Sequence, residues 1–349
     1  MTALSRRHQR RLPAGAAAAA ALILGVTALA LPLGSAASVQ TAPSCADTVT
    51  SAPTGPATVS TASTSFGKVL VVGSGDYAGC SLYLLTSDQL RALTGVHFAC
   101  SDDPNAIGQP CDTFLWPALL TKGAPVAGPG VNPKLLGTVT RDDLPGLPAV
   151  QQVTYGGMPL YRFFLDETPG ETSGADLFDP VTSPTGIWYL VEPGRGNPAP
   201  GQAHFQLETA PIARSGPDET VLSVVMDHGF DFLPEGSFPV YTSSSDHGQR
   251  KDAGTMGPGQ PCRALCAQYW PPVLTSGRPQ AGTGVDQHAL GTVMRPDGTQ
   301  QVTYKGKPLY LFNDDAWIPT LPYNGGVAAI HGAGADTVWG TFNTIPPSP

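Results

Sequence analysis

A tyrosine followed five residues later by an aspartate occurs four times in the chain. The pairs are Tyr83 with Asp88, Tyr161 with Asp166, Tyr241 with Asp246 and Tyr310 with Asp315. Such rings could stack against a sugar or peptide that the carboxylates orient, and carboxylate oxygens could also hold a hard metal ion. Alternatively, each aspartate caps the turn beyond its strand, by bonding backbone amides or the phenol. The spacing supports either a repeated pocket or a repeated turn.

A second aromatic residue follows two of these tyrosines at strand spacing, so both rings of each pair lie on one face of a strand. The candidate binding residues are Tyr161, Phe163, Asp166, Tyr310, Phe312 and Asp315. We expect them on the exposed side of two hairpins. The acidic residues are not spaced densely enough for a calcium-binding loop. The sequence does not decide whether another kind of metal site is present. It indicates no cofactor.

The segments around these residues are duplicated. Leu136–Val139, Gln151–Tyr155 and Pro159–Tyr161 return as Leu290–Val293, Gln300–Tyr304 and Pro308–Tyr310. Each copy alternates β-branched and aromatic residues about a Gly156-Gly157 or Lys305-Gly306 turn, which predicts a β-hairpin. The chain is therefore a tandem duplication, and the Tyr/Asp spacing suggests two half-repeats in each copy.

The composition favours an all-β fold of small, hairpin-rich modules. The 349 residues include 41 glycines and 36 prolines, which disfavour long helices, and only 13% are charged. The net charge is −8, and removal of residues 1–37, which contain four arginines and no acidic residue, changes it to −12. Nucleic acid and anionic lipid are therefore poor partners for this chain.

The N-terminus indicates export. Four arginines precede an apolar, alanine-rich stretch and a small-residue cleavage pattern at Ser35-Ala36-Ala37, so residues 1–37 are predicted to be a signal peptide. After processing, no stable membrane span is expected. The predicted order is then a flexible Ser/Thr/Ala/Pro tether (38–65), a first module (66–193), a linker (194–202) and a second module (203–349).

Six cysteines in an exported chain favour disulfides. Cys262 with Cys266, and Cys100 with Cys111, lie at corresponding places in the two copies, which leaves Cys45 and Cys80 as a third pair. Spacing alone does not determine the connectivity. Zinc is less favoured because only two of these thiols occur in each copy, and Trp116 and Trp270 beside the bridges are expected to pack in the core.

Other chemical motifs are weak. Gly73-Ser74-Gly75 precedes a predicted strand rather than a phosphate-binding helix, and the Ser65/Lys68 spacing lacks the accompanying motifs of a serine-lysine enzyme. A redox dithiol at Cys262 and Cys266 lacks the two-residue spacing of such sites. The sequence therefore favours a role other than catalysis.

The ordered motifs resemble a known family. Cys262 with Cys266, Trp270-Pro271-Pro272, Leu290–Val293, Asp297–Gln300 and Tyr310-x-Phe312-x-x-Asp315 are similar to the bacterial secreted-repeat, or predicted-lipoprotein, family with a Tyr-x-aromatic-x-x-Asp motif. That family has no established biochemical function. The half-repeats at Tyr83 and Tyr241 depart from the motif, with Leu85 and Ser243 at the aromatic position.

These observations predict an exported binding or structural protein of the cell envelope or extracellular space, with an unidentified ligand of that environment as its partner. The alternative is a metal-binding or redox accessory protein at the cell surface, in which acidic side chains hold a metal and aromatic side chains pass electrons. A hydrolase ranks third.

Overall fold

The computed structural model describes residues 44–88, 98–101, 110–179, 182, 185–212, 217–226, 236–245, 262, 265–316 and 327–347. The predicted signal peptide (1–37) and residues 38–43 of the predicted tether lie outside the described residues, as does Asp246. No helix in the described part of the chain is long and apolar enough to cross a membrane.

The first module contains eleven short strands among its described residues. They are β1 (Thr58–Thr64), β2 (Gly67–Val72), β3 (Tyr83–Leu85), β4 (Leu120–Thr121), β5 (Val126–Ala127), β6 (Leu136–Arg141), β7 (Val150–Tyr155), β8 (Met158–Pro159), β9 (Leu177–Asp179), β10 (Gly186–Val191) and β11 (Pro198–Ala199). Two single helical turns, Thr86–Asp88 and Cys111–Leu115, connect them.

The second module follows the same plan. Its described strands are β12 (His204–Ala210), β13 (Glu219–Met226), β14 (Gly236–Pro239), β15 (Tyr241–Ser243), β16 (Gln280–Ala281), β17 (Leu290–Met294), β18 (Gln300–Tyr304), β19 (Lys307–Pro308), β20 (Ala335–Thr337) and β21 (Gly340–Thr344). Leu265–Tyr269 and Asn313–Ala316 form short helices. The predicted all-β fold is confirmed.

Strand pairing shows how far the duplication extends. The β1–β2 hairpin takes β5 as a parallel neighbour, and the β12–β13 hairpin takes β16 in the same way. In each module a central strand, β7 or β18, pairs with the strands before and after it. The strand pairs β9–β10 and β20–β21 also correspond, with β3 and β15 on their outer edges. The repeat therefore begins at β1, upstream of the matching sequence motifs.

Both predicted hairpin turns are confirmed. Gly156 and Gly157 have φ values of 59° and 86°, and Lys305 and Gly306 have φ values of 49° and 79°. Two successive positive φ angles define the tight turn whose twist matches that of paired strands. The outgoing strands β8 and β19 are only two residues long. Beyond them the chain leaves the hairpin and pairs elsewhere.

All three disulfides join the cysteines paired by the sequence argument: Cys45 with Cys80, Cys100 with Cys111 and Cys262 with Cys266. Trp116 and Trp270 are buried in the same clusters as the second and third bridges. Core packing, as predicted, is the role of these indoles.

Two predicted boundaries are wrong. β1 lies inside the predicted tether and pairs with β2 over six positions, from Val59 with Val72 to Thr64 with Gly67. Its threonines and its buried Val59 are β-branched, and β-branched residues favour strands even in a Ser/Thr-rich segment. Likewise, β11 lies in the predicted linker and pairs with β10.

The modules share a hydrophobic core. One cluster of buried side chains contains residues of both modules, and Phe178 of the first meets Phe238 of the second edge to face, with ring centroids 5.0 Å apart. Each module also has a smaller cluster of its own, around Trp116 and around Trp270. The described strands therefore form one packed body rather than two separate modules on a linker.

Candidate functional site

The Tyr/Asp pairs are exchanged between half-repeats. The Tyr83 hydroxyl donates to Asp166 Oδ2 at 2.6 Å, and the Tyr161 hydroxyl donates to Asp88 Oδ2 at 2.8 Å. Each tyrosine therefore bonds the aspartate that follows the other tyrosine, not the one five residues after itself. In the second module Tyr241 donates to Asp315 Oδ2 at 2.7 Å, which repeats the first of these bonds.

A backbone contact explains the exchange. Tyr83 N donates to Tyr161 O at 2.9 Å and Tyr161 N to Tyr83 O at 3.0 Å, so the two half-repeats meet as an antiparallel pair. Tyr241 and Tyr310 make the same two bonds, at 2.8 and 2.9 Å. Antiparallel pairing about a local two-fold axis carries each phenol toward the turn that follows the partner strand.

The other carboxylate oxygen caps a backbone amide. Asp88 Oδ1 accepts from Ala99 N at 2.9 Å, Asp166 Oδ1 from Ser173 N at 2.8 Å and Asp315 Oδ1 from His331 N at 2.8 Å. Amides and phenols were the partners expected under the capping alternative. Each aspartate therefore ties a loop to the strand of the other half-repeat.

Burial dominates the electrostatics of these groups. Desolvation by burial raises the pKa of Asp88 to about 6, and it also raises the pKa values of the Asp166 and Asp315 carboxyls. Burial, followed by the partner carboxylate, holds the pKa of Tyr83 and Tyr241 well above the usual value. The phenols therefore remain protonated donors at neutral pH.

Stacked rings enclose the pairs. In the first module Trp116 stacks on Trp188, with centroids 3.8 Å apart, and packs at a tilt against Phe163, with centroids 4.2 Å apart. In the second, Trp270 stacks on Phe342 and Phe312 at 3.6 and 4.4 Å. A Cβ on Gly174 would lie 2.6 Å from Trp116, and one on Gly332 would lie 2.8 Å from Trp270, so each loop needs glycine where it covers the indole.

The candidate binding residues are therefore buried. Tyr161, Phe163, Asp166, Tyr310 and Asp315 have at most 1% of their surface exposed, and Phe312 is partly buried. The expectation that they form an exposed stacking face is wrong, because β8 and β19 end after two residues and β10 and β21 close over the rings. The structure brings Tyr161 and Phe163 together in one cluster, and Tyr310 and Phe312 in another.

Comparison with known proteins bears on the segments just described. A family model described as "Secreted repeat of unknown function" matches residues 150–179 and residues 291–319. Two segments of this chain thus match the secreted-repeat family. The match confirms the predicted resemblance and the predicted export. No curated protein and no solved structure matches the chain.

Each matched segment is half of a structural unit. The first secreted repeat (residues 150–179) contains Asp166, whose phenol partner Tyr83 lies outside it. The second (residues 291–319) contains Asp315, whose partner Tyr241 lies outside as well. In this chain each matched segment therefore pairs its buried carboxylate with a tyrosine on the strand of a preceding half-repeat.

An arginine in each module, which the sequence analysis missed, links its secreted repeat to the disulfide loop. Arg141 donates to Gln152 Oε1 at 2.7 Å and to Cys100 O at 3.1 Å. Arg295 donates to Gln301 Oε1 at 2.7 Å and to Cys262 O at 2.9 Å. The sequence did contain a signal for these arginines, because both stand two residues after the repeated Leu-Gly-Thr-Val.

The cap positions differ between the modules. His331 occupies the place of Ser173, and its Nδ1 lies 3.3 Å from Asp315 Oδ1 and 3.1 Å from Ala329 O. The hydrogen bond to Asp315 raises the pKa of His331. Within the described residues, no group of three or more His, Cys, Asp or Glu side chains is placed to hold a metal ion.

A cleft of about 730 Å³ lies where the modules meet. Its apolar lining includes Phe66 and Tyr189 of the first module and Met226 and Leu311 of the second, and its polar groups include Asp176 and His204. None of these residues was selected from the sequence. Their proximity depends on how the modules pack, which no local motif encodes.

Asp176, near the end of the first secreted repeat, has an unusual backbone for its residue type. Its φ is 60°, and its Oδ2 accepts from Gly201 N at 2.6 Å. The segment Gly174-Ala175-Asp176 corresponds to Gly332-Ala333-Gly334, and Gly334 has a φ of 70°. The second module thus has glycine where the first has an aspartate that lines the cleft.

Proposed function

We propose that this exported protein is a non-catalytic binding protein of the cell envelope or extracellular space, and that its ligand occupies the cleft between the modules. The observation that carries the proposal is the cleft itself. Small-molecule sites are concave, about 300–1,000 Å³ in volume, mostly apolar with a few polar groups, and often found at domain interfaces. The cleft of about 730 Å³ has the volume and the interface position of such a site, and its lining combines apolar side chains with several polar groups.

The buried networks support this role by making the walls rigid. Asp166 and Asp315 tie the loops that follow both hairpins, and the arginine links hold those hairpins to the disulfide loops. A preformed wall loses little conformational entropy when a ligand binds. On this view the repeated Tyr/Asp pairs are the frame of the binding site rather than its surface.

A neutral, environment-sensitive dye such as Nile red tests the proposal. Val225 lines the cleft and is partly exposed, so Val225→Phe should fill part of it, whereas Val126→Phe adds the same volume to a side chain that is 48% exposed. We expect dye fluorescence to rise with the wild-type protein and with Val126→Phe, and the affinity to fall at least about tenfold in Val225→Phe, a change of about 1.4 kcal/mol.

Thermal unfolding of each variant is the control, because an overpacked interface could loosen the fold. If the three folded proteins bind the dye with equal affinity, the dye does not bind in the cleft, and the proposed location of the site is wrong. Absence of dye binding to the wild-type protein would remove the proposal of an apolar binding cleft altogether.

A further inference from the structure

The second module exposes an aromatic patch formed by Tyr269, Val338 and Trp339. Tyr269 ends the short helix Leu265–Tyr269, and the centroid of its ring lies 6.3 Å from that of Trp339, with the two ring planes 28° apart. Tyr269 is 48% exposed and Val338 is 90% exposed, while Trp339 is partly buried. Among the described residues four large hydrophobic side chains are exposed, and two of them lie in this patch.

Folding of the hairpin does not explain the residues at its tip. Thr337 pairs with Gly340, so Val338 and Trp339 are the two turn residues between β20 and β21. Turns of this length favour glycine, asparagine and aspartate, and an exposed valine gains little from the hydrophobic effect. Exposed apolar patches with polar residues around them are typical of binding surfaces.

The first module lacks the residues of this patch. The residue before its Trp116 is Leu115, which is 1% exposed, whereas the residue before Trp270 is Tyr269. The sequence between β9 and β10 (residues 180–185), which corresponds to the hairpin tip, contains no aromatic residue. The module therefore folds without a tyrosine or a tryptophan at these positions.

Polar groups surround the rings. Among the described residues, Trp339 makes its hydrogen bonds through its backbone N and O, so its indole N–H can donate to a ligand. The Tyr269 hydroxyl can both donate and accept. The Ser245 hydroxyl lies beside the tip, because a Cβ built on Gly340 would contact its Oγ. The helix and the hairpin that carry the patch contain one charged residue, Asp336.

This chemistry fits a sugar better than a protein or a membrane. The C–H groups on the face of a pyranose ring pack on the negative face of an aromatic ring, and its hydroxyls bond polar groups at the edge. A stable protein interface needs about 800 Å² on each side, which is more than these three side chains expose. Asp336 and a net charge of −8 disfavour an anionic membrane.

We propose that the aromatic patch binds a neutral, β-1,4-linked glycan, with its pyranose rings against Trp339 and Tyr269. A glycan with this linkage is a flat chain with C–H groups on both faces, so neighbouring sugars can contact two nearly parallel rings. None of the three patch residues lines the cleft between the modules. The proposal is therefore independent of the cleft ligand.

The test adds three oligosaccharides, each at up to about 10 mM, to the secreted protein labelled with nitrogen-15. Cellopentaose and chitopentaose have β-1,4 linkages, and maltopentaose has α-1,4 linkages. Nuclear magnetic resonance resolves the indole N–H signals, and Trp339→Phe assigns the signal of the patch. We expect at least one β-1,4 oligosaccharide to shift the Trp339 signal and to bind at least about fivefold more tightly than maltopentaose. The signals of the buried Trp116, Trp188 and Trp270 should not shift.

Variants locate the bound sugar. Tyr269→Leu introduces the residue of the first module and should weaken binding at least about tenfold, whereas Tyr269→Phe keeps the ring and should stay within about threefold. Met294→Ala is the matched control, because it shortens another exposed side chain of the second module and should leave the affinity unchanged. Val225→Phe, in the cleft, should also leave glycan binding unchanged.

Each outcome supports or overturns the proposal. Absence of a Trp339 shift with both β-1,4 oligosaccharides overturns it, and so does equal binding of maltopentaose. Unchanged affinity in folded Tyr269→Leu would place the sugar elsewhere. A Trp339 shift caused by phosphatidylcholine vesicles but by no oligosaccharide would identify the tip as a membrane contact instead. The wild-type spectra decide the question even if a variant fails to fold.

Discussion

At the scale of single residues, the protein shows how a sequence spacing can be correct while its interpretation is incomplete. The separation of five between tyrosine and aspartate is real, yet the bonded pairs are 83 and 73 residues apart, Tyr83 with Asp166 and Tyr161 with Asp88. A spacing within one strand and turn contains no information about a partner strand. The pairing follows from the antiparallel contact of the two half-repeats, which the spacing does not encode.

A double-mutant cycle tests the exchanged pairing. Tyr83→Phe leaves the buried Asp166 carboxylate with one donor fewer, and Asp166→Ala removes the acceptors of both Tyr83 and Ser173 N. Because the two changes remove the same bond, we expect a coupling of about 1–3 kcal/mol in urea unfolding. The single Asp166→Ala change should itself lower the free energy of unfolding.

The matched control is Tyr161→Phe combined with Asp166→Ala, since these two residues are neighbours in sequence but not partners. Their effects should add within about 0.5 kcal/mol. A coupling between Tyr161 and Asp166 as large as that between Tyr83 and Asp166 would contradict the exchange.

At the scale of elements, local sequence signals predicted the hairpins but did not predict the strands that pair around them. Gly156-Gly157 and Lys305-Gly306 predicted both turns because a two-residue turn is specified by its own residues. The parallel contacts of β5 with β1 and of β16 with β12 join segments far apart in sequence, and their short strands have no periodic pattern. β1 was missed because its serines and threonines suggested a tether.

The arginine links give a prediction at this scale. Arg141 is fully buried and forms an ion pair with the equally buried Asp112, whereas the acidic neighbour of Arg295 is Asp297, whose side chain is 50% exposed, at 3.5 Å. Removing one partner of a buried ion pair costs about 3–5 kcal/mol. We therefore expect Arg141→Leu to cost about that much in urea unfolding.

Arg295→Leu is the matched control in the second module. It removes the bonds to Gln301 and Cys262 O without removing the partner of a buried acid, so its cost should be about 1–3 kcal/mol. Equal losses from the two variants would show that the ion pair with Asp112 adds nothing to the hydrogen bonds that both arginines make.

At the scale of the whole molecule, the two copies of the duplicated module are joined by one hydrophobic core. The sequence showed two modules and left open whether they face each other. Phe178 and Phe238 come from different modules and lie outside the quoted repeat motifs, yet they meet in the core common to both. Packing between the copies depends on the side chains by which they differ. The cleft is likewise lined by residues of both modules, so the repeat motifs of one copy could not indicate the binding site that we propose there.

A shared core predicts that the two modules unfold together. Phe342 lies in the cluster that belongs to the second module alone, stacked on Trp270. Phe342→Ala should cost about 3–5 kcal/mol, as for other buried phenylalanines. If unfolding is cooperative across the interface, amide hydrogen exchange should lose protection by the same free energy in β10 of the first module as in β21. Phe238→Ala, which removes a ring from the shared core, should give a similar pattern. Full protection of β10 in Phe342→Ala, with β21 exchanging fast, would instead mean that each copy unfolds alone and that the cleft between them can open without unfolding its walls.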